Sequence, residues 1–533
     1  MKKSSNQFIN IFFPSLIFGS ITGIFTAIFV TFYKLCAKHV IGFSEHAYHY
    51  ISNNLWMIPL VLFALFGLAY AFSAIYKTSP RLRGGGIPSS IAILRGIVDF
   101  SWLKVLLGIF VMSLITFLIG VPLGNEGPSV LIGTALGFGT VHCLARKHSA
   151  WSKYSMTGGA CAGFAVATGA PVSGILFAVE EAHQRISPMI ITVSAISVLF
   201  ACITAQLLSS FLEVNVSLFP SLSIITLTLK DVWLPIVIGI VVGFFAVAFL
   251  KYYKIIYNVF NKALKKVPTF LKIFAVFTIT LILGICSFSY ISTGHDLILS
   301  LFDAKTYTAI LSLLVILIVR STLTLSANTN KITGGIFLPI LALGTLTASI
   351  IANALISFFG LSADYYQIIL VLSITACIAS MMKMPLTAIV FALEALSCYH
   401  NVLFVIIASA VSYVITELFH SKSINDSVVD NIIDNNNDKS TLKVYDVILT
   451  IQKDSFAVGK QIRDILWPAN TFILSNTLNT THCAQVDVHG GKDLHEGDVL
   501  HIRYSTQNQL KTKLEILAII GDQPYNERQT TEV

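Results

Sequence analysis

Gly124-Asn125-Glu126-Gly127-Pro128 places a single carboxylate among glycines and a proline, between apolar runs at residues 111–121 and 130–138. An ionisable group flanked by apolar segments is costly in lipid and marks function by default. Glycine and proline at the same point interrupt the run, so one helix is expected to end and another to begin inside the membrane. The start of that second helix would face whatever Glu126 controls.

The rest of the chain fits a membrane setting. Of its 533 residues, 55% are apolar and 12% charged, about half the charge of a soluble globular protein. Mean hydropathy is +0.77. Apolar runs recur at residues 12–32, 55–75, 103–121, 190–211, 234–250, 271–288, 309–319, 368–378 and 402–415. Some reach the roughly 20 residues a spanning helix needs, and others are shorter or broken by Gly and Pro. The run at 12–32 is too long for the core of a signal peptide and lacks a small-residue cleavage site, so it reads as a helix. Lys2 and Lys3 before it favour a cytoplasmic N-terminus. The net charge of +8 gathers in loops at 77–83, 146–153 and 262–266, as in loops that set topology, which argues against nucleic-acid binding. Eight cysteines are scattered singly, with neither metal spacing nor a disulfide framework. No cofactor is expected.

Residues 1–424 repeat themselves. Gly124 to Pro128, followed by Gly133, has a counterpart in Gly335-Ile336-Phe337-Leu338-Pro339, followed by Gly344. Pro171-Val172-Ser173-Gly174-Ile175-Leu176-Phe177-Ala178-Val179-Glu180 matches Pro385-Leu386-Thr387-Ala388-Ile389-Val390-Phe391-Ala392-Leu393-Glu394. Gly335 lies 211 residues beyond Gly124, and Pro385 lies 214 beyond Pro171. Two blocks in the same order at nearly the same offset imply two homologous halves, about 10–215 and 230–424. Broken apolar segments at matching places in two halves point to a midplane binding site. Glu180 and Glu394 correspond and are expected to share a structural role. Glu126 corresponds to Phe337, and Glu181 to Ala395, so each is a carboxylate that one half alone carries.

A third Gly-rich opening, Gly84-Gly85-Gly86-Ile87-Pro88, precedes a helix-like run at 89–98. Three helix starts offer unpaired N–H groups and positive dipole ends, which suit an anion. One exposed helix terminus returns only about 0.3–1 kcal/mol, far below the cost of desolvating a small anion, so several must converge. A resident cation would need rings of carboxylates, and acids are too few. Any one Gly-Pro cluster alone would serve equally as a kink or a close helix crossing.

A polar, Asn- and Asp-rich stretch at 425–440 reads as a solvated linker. Beyond it, 441–521 alternates strand-like runs (444–451, 472–475, 499–504) with helix-like pieces (458–466, 507–520), followed by a tail at 522–533. This is a small soluble α+β domain. His482, His489, His495 and His501 show no metal spacing.

The three Gly-Pro segments, with the blocks from Pro171 to Glu181 and from Pro385 to Glu394, resemble the signatures of the CLC chloride channels and proton-coupled chloride transporters over residues 10–425. The resemblance implies an α-helical polytopic membrane protein of two inverted repeats with broken, tilted helices. It also implies a homodimer in the plasma membrane with one anion pathway per subunit. By position, Glu126 matches the gating glutamate and Glu181 the internal proton-transfer glutamate. The amides of Ile336 and Phe337 match central anion ligands, and those of Glu126 and Gly127 line an outer site. Gly85 falls where a serine hydroxyl often binds the anion. Ungapped counting from Pro385 puts Asn425 where many members have a tyrosine. Asn125 replaces an often basic residue. Segments 458–466 and 472–478, with Leu494-His495-Glu496-Gly497-Asp498-Val499-Leu500, resemble the RCK C-terminal (TrkA C-terminal-like) domain. That likeness implies a cytoplasmic dimerisation module and a regulatory ligand such as cyclic di-AMP.

The expected function is proton-coupled chloride exchange, with chloride, protons and membrane lipid as partners. A passive chloride channel, favoured by Gly85 and Asn425, is the alternative. A non-transporting membrane sensor is a rival of another class, and the intact set of three signatures argues against it. No nucleophile with a base partner, phosphate loop or metal cluster suggests an enzyme.

Overall fold

The computed structural model describes residues 2–84, 86–212, 217–220, 222, 224–303, 309–437, 443–477, 489–506, 508–522 and 531–532. Gly85, His482, residues 438–440 of the expected linker and most of the tail lie outside them.

The apolar runs become helices in two sets. The first holds α1 (Lys2–Asn53), α2 (Ile58–Thr78), α3 (Ile87–Leu94), α4 (Trp102–Ile119), α5 (Glu126–Leu144), α6 (Ser152–Thr168), α7 (Pro171–Phe177) and α8 (Pro188–Leu212). The second holds α9 (Trp233–Asn258), α10 (Thr269–Cys286), α11 (His295–Asp303), α12 (Ile310–Thr329), α13 (Phe337–Phe359), α14 (Tyr366–Cys377), α15 (Pro385–Glu394) and α16 (Val402–Leu418). Among the described residues, 11 helices are long and apolar enough to cross a membrane. The short members recur in step, α3 with α11 and α7 with α15, at 7 to 10 residues each.

Equivalent residues exchange contacts, as a two-fold axis between the halves requires. Glu180 accepts hydrogen bonds from Leu386 N, Thr387 N and Thr387 Oγ1 at 2.9, 2.7 and 2.6 Å. Glu394 accepts the equivalent three, from Val172 N, Ser173 N and Ser173 Oγ, at 2.8, 2.9 and 3.0 Å. Each carboxylate thus caps the first turn of the other half's short helix, and each of those helices begins with proline. Helices α5 and α6 cross closely because small residues face one another. A methyl at Gly133 would strike Gly159 O, and one at Gly163 would strike Ser129 O.

Residues 425–440 depart from the expected solvated linker. Ile424–Asn437 forms α17, with Asn425 and Val429 buried. Ser423 starts it, its Oγ accepting from Asp426 N at 2.9 Å. Ile424, Val428, Val429, Ile432 and Ile433 recur at helical spacing and pack on the transmembrane core. The abundant Asn and Asp hide that sparse stripe in composition.

The C-terminal domain is α+β. Strands β1 (Lys443–Thr450), β2 (Thr471–Thr477), β3 (Val499–Thr506) and β4 (Thr531–Glu532) form an antiparallel sheet in the order β2-β3-β1-β4. Val447 pairs with Ile502 and Leu449 with Leu500, and α18 (Gln509–Ile520) packs over this apolar face. The segment 458–466 is not the expected helix. Its backbone bonds to residues 490–494, with Arg463 N to Gly490 O at 2.8 Å and Gly459 N to Leu494 O at 2.8 Å. Only Ile462–Asp464 makes a 3₁₀ turn.

This domain docks on the membrane helices. Tyr154 of α6 donates to Asp464 O at 2.7 Å and accepts from Leu466 N at 2.9 Å, both buried. Ser187 Oγ bonds Asp464 Oδ1 at 3.2 Å, and Phe456 packs edge-on against Trp151 at 5.4 Å.

Candidate functional site

The opening motif sits where three helix starts meet. Gly120 ends α4 in the left-handed conformation, φ 80°, and the chain turns back into the protein before α5. Gly124 N donates to Gly335 O at 2.7 Å, and Gly335 N donates to Gly124 O at 2.8 Å. This small antiparallel bridge ties the residue pairs that precede α5 and α13. A methyl at Gly127 would lie 2.7 Å from Gly335 Cα and 3.1 Å from Gly86 Cα. The starts of α3, α5 and α13 therefore converge within backbone contact, which only residues lacking a side chain permit.

Glu126 is fully buried at the start of α5. Neither carboxylate oxygen has a hydrogen-bond partner among the described residues. Its Oε2 lies 2.5 Å from where a side chain on Gly124 would begin, so that glycine leaves room for it. The matching place in the second half is filled by Phe337, also buried, whose ring meets Phe164 at 5.2 Å and Phe391 at 5.6 Å, both edge-on. Lys34 on α1 and His295 at the start of α11 are the basic groups whose charges reach Glu126. Lys34 Nζ donates to Val166 O, a last-turn carbonyl of α6, at 3.1 Å.

Glu181 forms a second centre. It lies on a single π turn, Ala178–Ala182, that extends α7, a feature frequent at functional sites. It is 2% exposed, and its Oε1 has no partner among the described residues. Asn425, in the first turn of α17, stands beside Glu181 without its carboxamide reaching hydrogen-bond geometry. Arg95, just past α3, donates to Glu181 O at 2.9 Å and Ala182 O at 3.0 Å, and approaches Asp426 Oδ1 at 3.4 Å.

The structure thus brings Glu126, Gly127, Ile336 and Phe337 together, and places Asn425 with Glu181. Gly85 lies outside the described residues. Sequence reasoning missed Lys34, Arg95 and the fully buried Arg320. Arg320 holds Ser289 O, Ile291 O and Ser292 O at 2.9, 2.6 and 2.9 Å. Lys34 and Arg320 carried the same signal as Glu126, a charge in an apolar run. Among the described residues no three His, Cys, Asp or Glu side chains gather as metal ligands would.

Two repeats of broken helices, meeting head-on around a buried carboxylate, define a polytopic membrane protein. Residues 66–417 match the voltage gated chloride channel family, and the chain belongs to that family. It is 25% identical over 459 residues to the H+/Cl− exchange transporter ClcA of Vibrio parahaemolyticus, covering 81% of this chain and 94% of the relative. It is 27% identical over 442 residues to the ClcA of Salmonella typhimurium, covering 79% and 88%. The crystal structure of a slow cyanobacterial Cl−/H+ antiporter superposes with a TM-score of 0.70 at 22% identity, over 79% of this chain and 99% of that one. A CLC-type fluoride/proton antiporter superposes with a TM-score of 0.62 at 18% identity, over 76% and 95%.

Proposed function

We propose that this protein exchanges chloride for protons across the plasma membrane, with Glu126 as the gate and Glu181 as the inner proton-transfer group. The Glu126 carboxylate carries this reading. It is buried, lacks a hydrogen-bond partner among the described residues, and stands where three helix starts arrive. Ionised Glu126 and a chloride ion compete for the same unpaired N–H groups of the first helical turns, those of residues 126, 127, 336 and 337. Protonation removes the carboxylate's charge and lets the anion take its place. One group then links the two fluxes. Glu181, beside Asn425 and Arg95 and near the C-terminal domain, supplies the proton from that side. Relatives named H+/Cl− exchange transporters support the exchange of the two ions.

The reading includes a homodimer with one pathway per subunit and a cytoplasmic C-terminal domain of the RCK C-terminal type. The antiparallel sheet and the Glu496-Gly497-Asp498 turn, with Gly497 at φ 87° and Asp498 Oδ2 accepting from His495 N at 2.9 Å, support that domain type. Cyclic di-AMP is its proposed ligand. Calorimetric titration of the full-length protein with cyclic di-AMP tests this part, and absence of binding refutes it.

Transport is tested in proteoliposomes by recording chloride efflux and external pH together. Wild-type protein is expected to move both ions, and Glu126→Ala to keep chloride flux while losing proton movement. Wild-type chloride flux with no proton movement would make the protein a passive channel.

A further inference from the structure

A cavity of about 220 Å³ lies between α10 and α12, lined by Ala275, Ile279 and Leu283 of the first and Ile318, Thr322 and Ser326 of the second. It exceeds the roughly 150 Å³ of an apolar cavity that takes up benzene. Ile279 and Ile318 are exposed, so the cavity opens at the lipid-facing surface. The Thr322 hydroxyl is already engaged, donating to Ile318 O at 2.7 Å and bonding Tyr252 Oη at 2.9 Å. The lining therefore suits an apolar occupant. Phe260 also lines it, from a π turn, Val259–Ala263, that prolongs α9. There Leu264 N, which an α-helix would give to Phe260 O, donates instead to Val259 O at 2.9 Å. The freed Phe260 carbonyl accepts from Lys272 Nζ, in the first turn of α10, at 2.8 Å. An ammonium is thereby fixed beside the apolar cavity, with further N–H donors to offer.

The charge around this cavity is one-sided. Between residues 232 and 295 the chain carries six lysines, Lys251, Lys254, Lys262, Lys265, Lys266 and Lys272, and neither Asp nor Glu. Lys262, Lys265 and Lys266 are exposed between α9 and α10. No ion pair ties them or Lys272 to a carboxylate among the described residues. Near the end of α9, Tyr253 Oη accepts from Asn431 Nδ2 of α17 at 3.3 Å, and α17 leads into the C-terminal domain. The cationic turn therefore lies on the face that carries that domain. Topology accounts for lysines in a loop, but not for an apolar cavity beside them with an ammonium fastened to its wall. An acyl chain gains little by leaving lipid for an equally apolar wall. The headgroup must then distinguish a retained lipid, and the lysines select a negative one.

We propose that this crevice holds one acyl chain of an anionic phospholipid, whose phosphate rests on the ammonium groups of Lys272, Lys262, Lys265 and Lys266. The site stands apart from both carboxylate centres and does not depend on the transport reading.

Native mass spectrometry of the purified full-length protein, titrated with dioleoyl phosphatidylglycerol or dioleoyl phosphatidylcholine, is the test. The wild type is expected to hold phosphatidylglycerol about tenfold more tightly. Lys272→Gln should remove most of that preference, as should Lys262→Gln, Lys265→Gln and Lys266→Gln combined. Ala275→Trp, which fills the crevice and leaves every charge in place, should weaken phosphatidylglycerol binding about tenfold. Lys251→Gln alters a lysine held 5.4 Å from the Phe419 ring centre and should change nothing, which separates a local site from general charge attraction. Equal affinity for the two lipids, or a preference that survives both Lys272→Gln and the triple variant, overturns the proposal. Unchanged binding in folded Ala275→Trp overturns it too, since the phosphate would then be held without the chain. A loss in Lys251→Gln as large as in Lys272→Gln would likewise overturn it.

Discussion

At the scale of single residues, small size matters as much as charge. Gly127→Ala would put a methyl 2.7 Å from Gly335 Cα, closer than real side-chain carbons approach backbone. The helix starts must then separate, so chloride flux is expected to fall at least tenfold while the protein stays monodisperse on gel filtration. Retained flux would show that the convergence is not what binds the anion. Glu180 and Glu394 make matching predictions. Changing either to Gln removes charge from a cap that receives three hydrogen bonds and should cost about 1–2 kcal/mol. The two variants should unfold in detergent at similar lowered temperatures; a loss in one half only would contradict equivalence. The importance of Glu126 was legible because a lone carboxylate in an apolar run is too costly in lipid to persist without a role. That of Lys272 was not, because a basic residue opening an apolar run reads as a topology-setting charge until the fold fastens it to Phe260 O.

At the scale of elements, the least legible piece is α17. Its apolar stripe of Ile424, Val428, Val429, Ile432 and Ile433 is diluted by eight Asn and Asp residues between 425 and 437. Its helical state depends on packing against the membrane core rather than on propensity. Segment 458–466 errs the other way: helix-forming residues are held extended by bonds to 490–494. The docking of the C-terminal domain leaves no sequence pattern at all, since Tyr154 and Asp464 are 310 residues apart. Tyr154→Phe deletes both of its buried bonds, and hydrogen exchange at Leu466 is expected to accelerate at least tenfold. Unchanged protection would mean that apolar packing alone holds the domain. Inside that domain, burial holds the Lys460 ammonium at about 8 against an ordinary 10.5. Its Nζ donates to Phe456 O at 2.5 Å and lies 4.1 Å from the Phe456 ring centre. The unfolded domain therefore binds more protons between about pH 8 and 10.5, so its stability rises with pH across that window. The urea midpoint of the domain's unfolding should be higher at about pH 9.5 than at about pH 7.5, and Lys460→Met should remove that difference.

At the scale of the whole molecule, duplication explains both the scaffold and the exceptions to it. Residues that recur at the repeat offset, Glu180 with Glu394 and Gly124 with Gly335, bond across the axis between the halves. Residues that break the repeat, Glu126 opposite Phe337 and Glu181 opposite Ala395, are the buried carboxylates among the described residues of the two membrane halves. Sequence self-comparison could separate the two classes because each half is the other's control. Which helix starts touch depended on tertiary packing and became visible only in three dimensions. The central claim is that one carboxylate couples two ions, and uphill transport tests it most directly. Liposomes with equal pH on both sides, voltage held at zero by potassium and valinomycin, would receive a chloride gradient. The account predicts that protons accumulate on the side chloride leaves. Chloride moving down its gradient while pH stays level on both sides would contradict it.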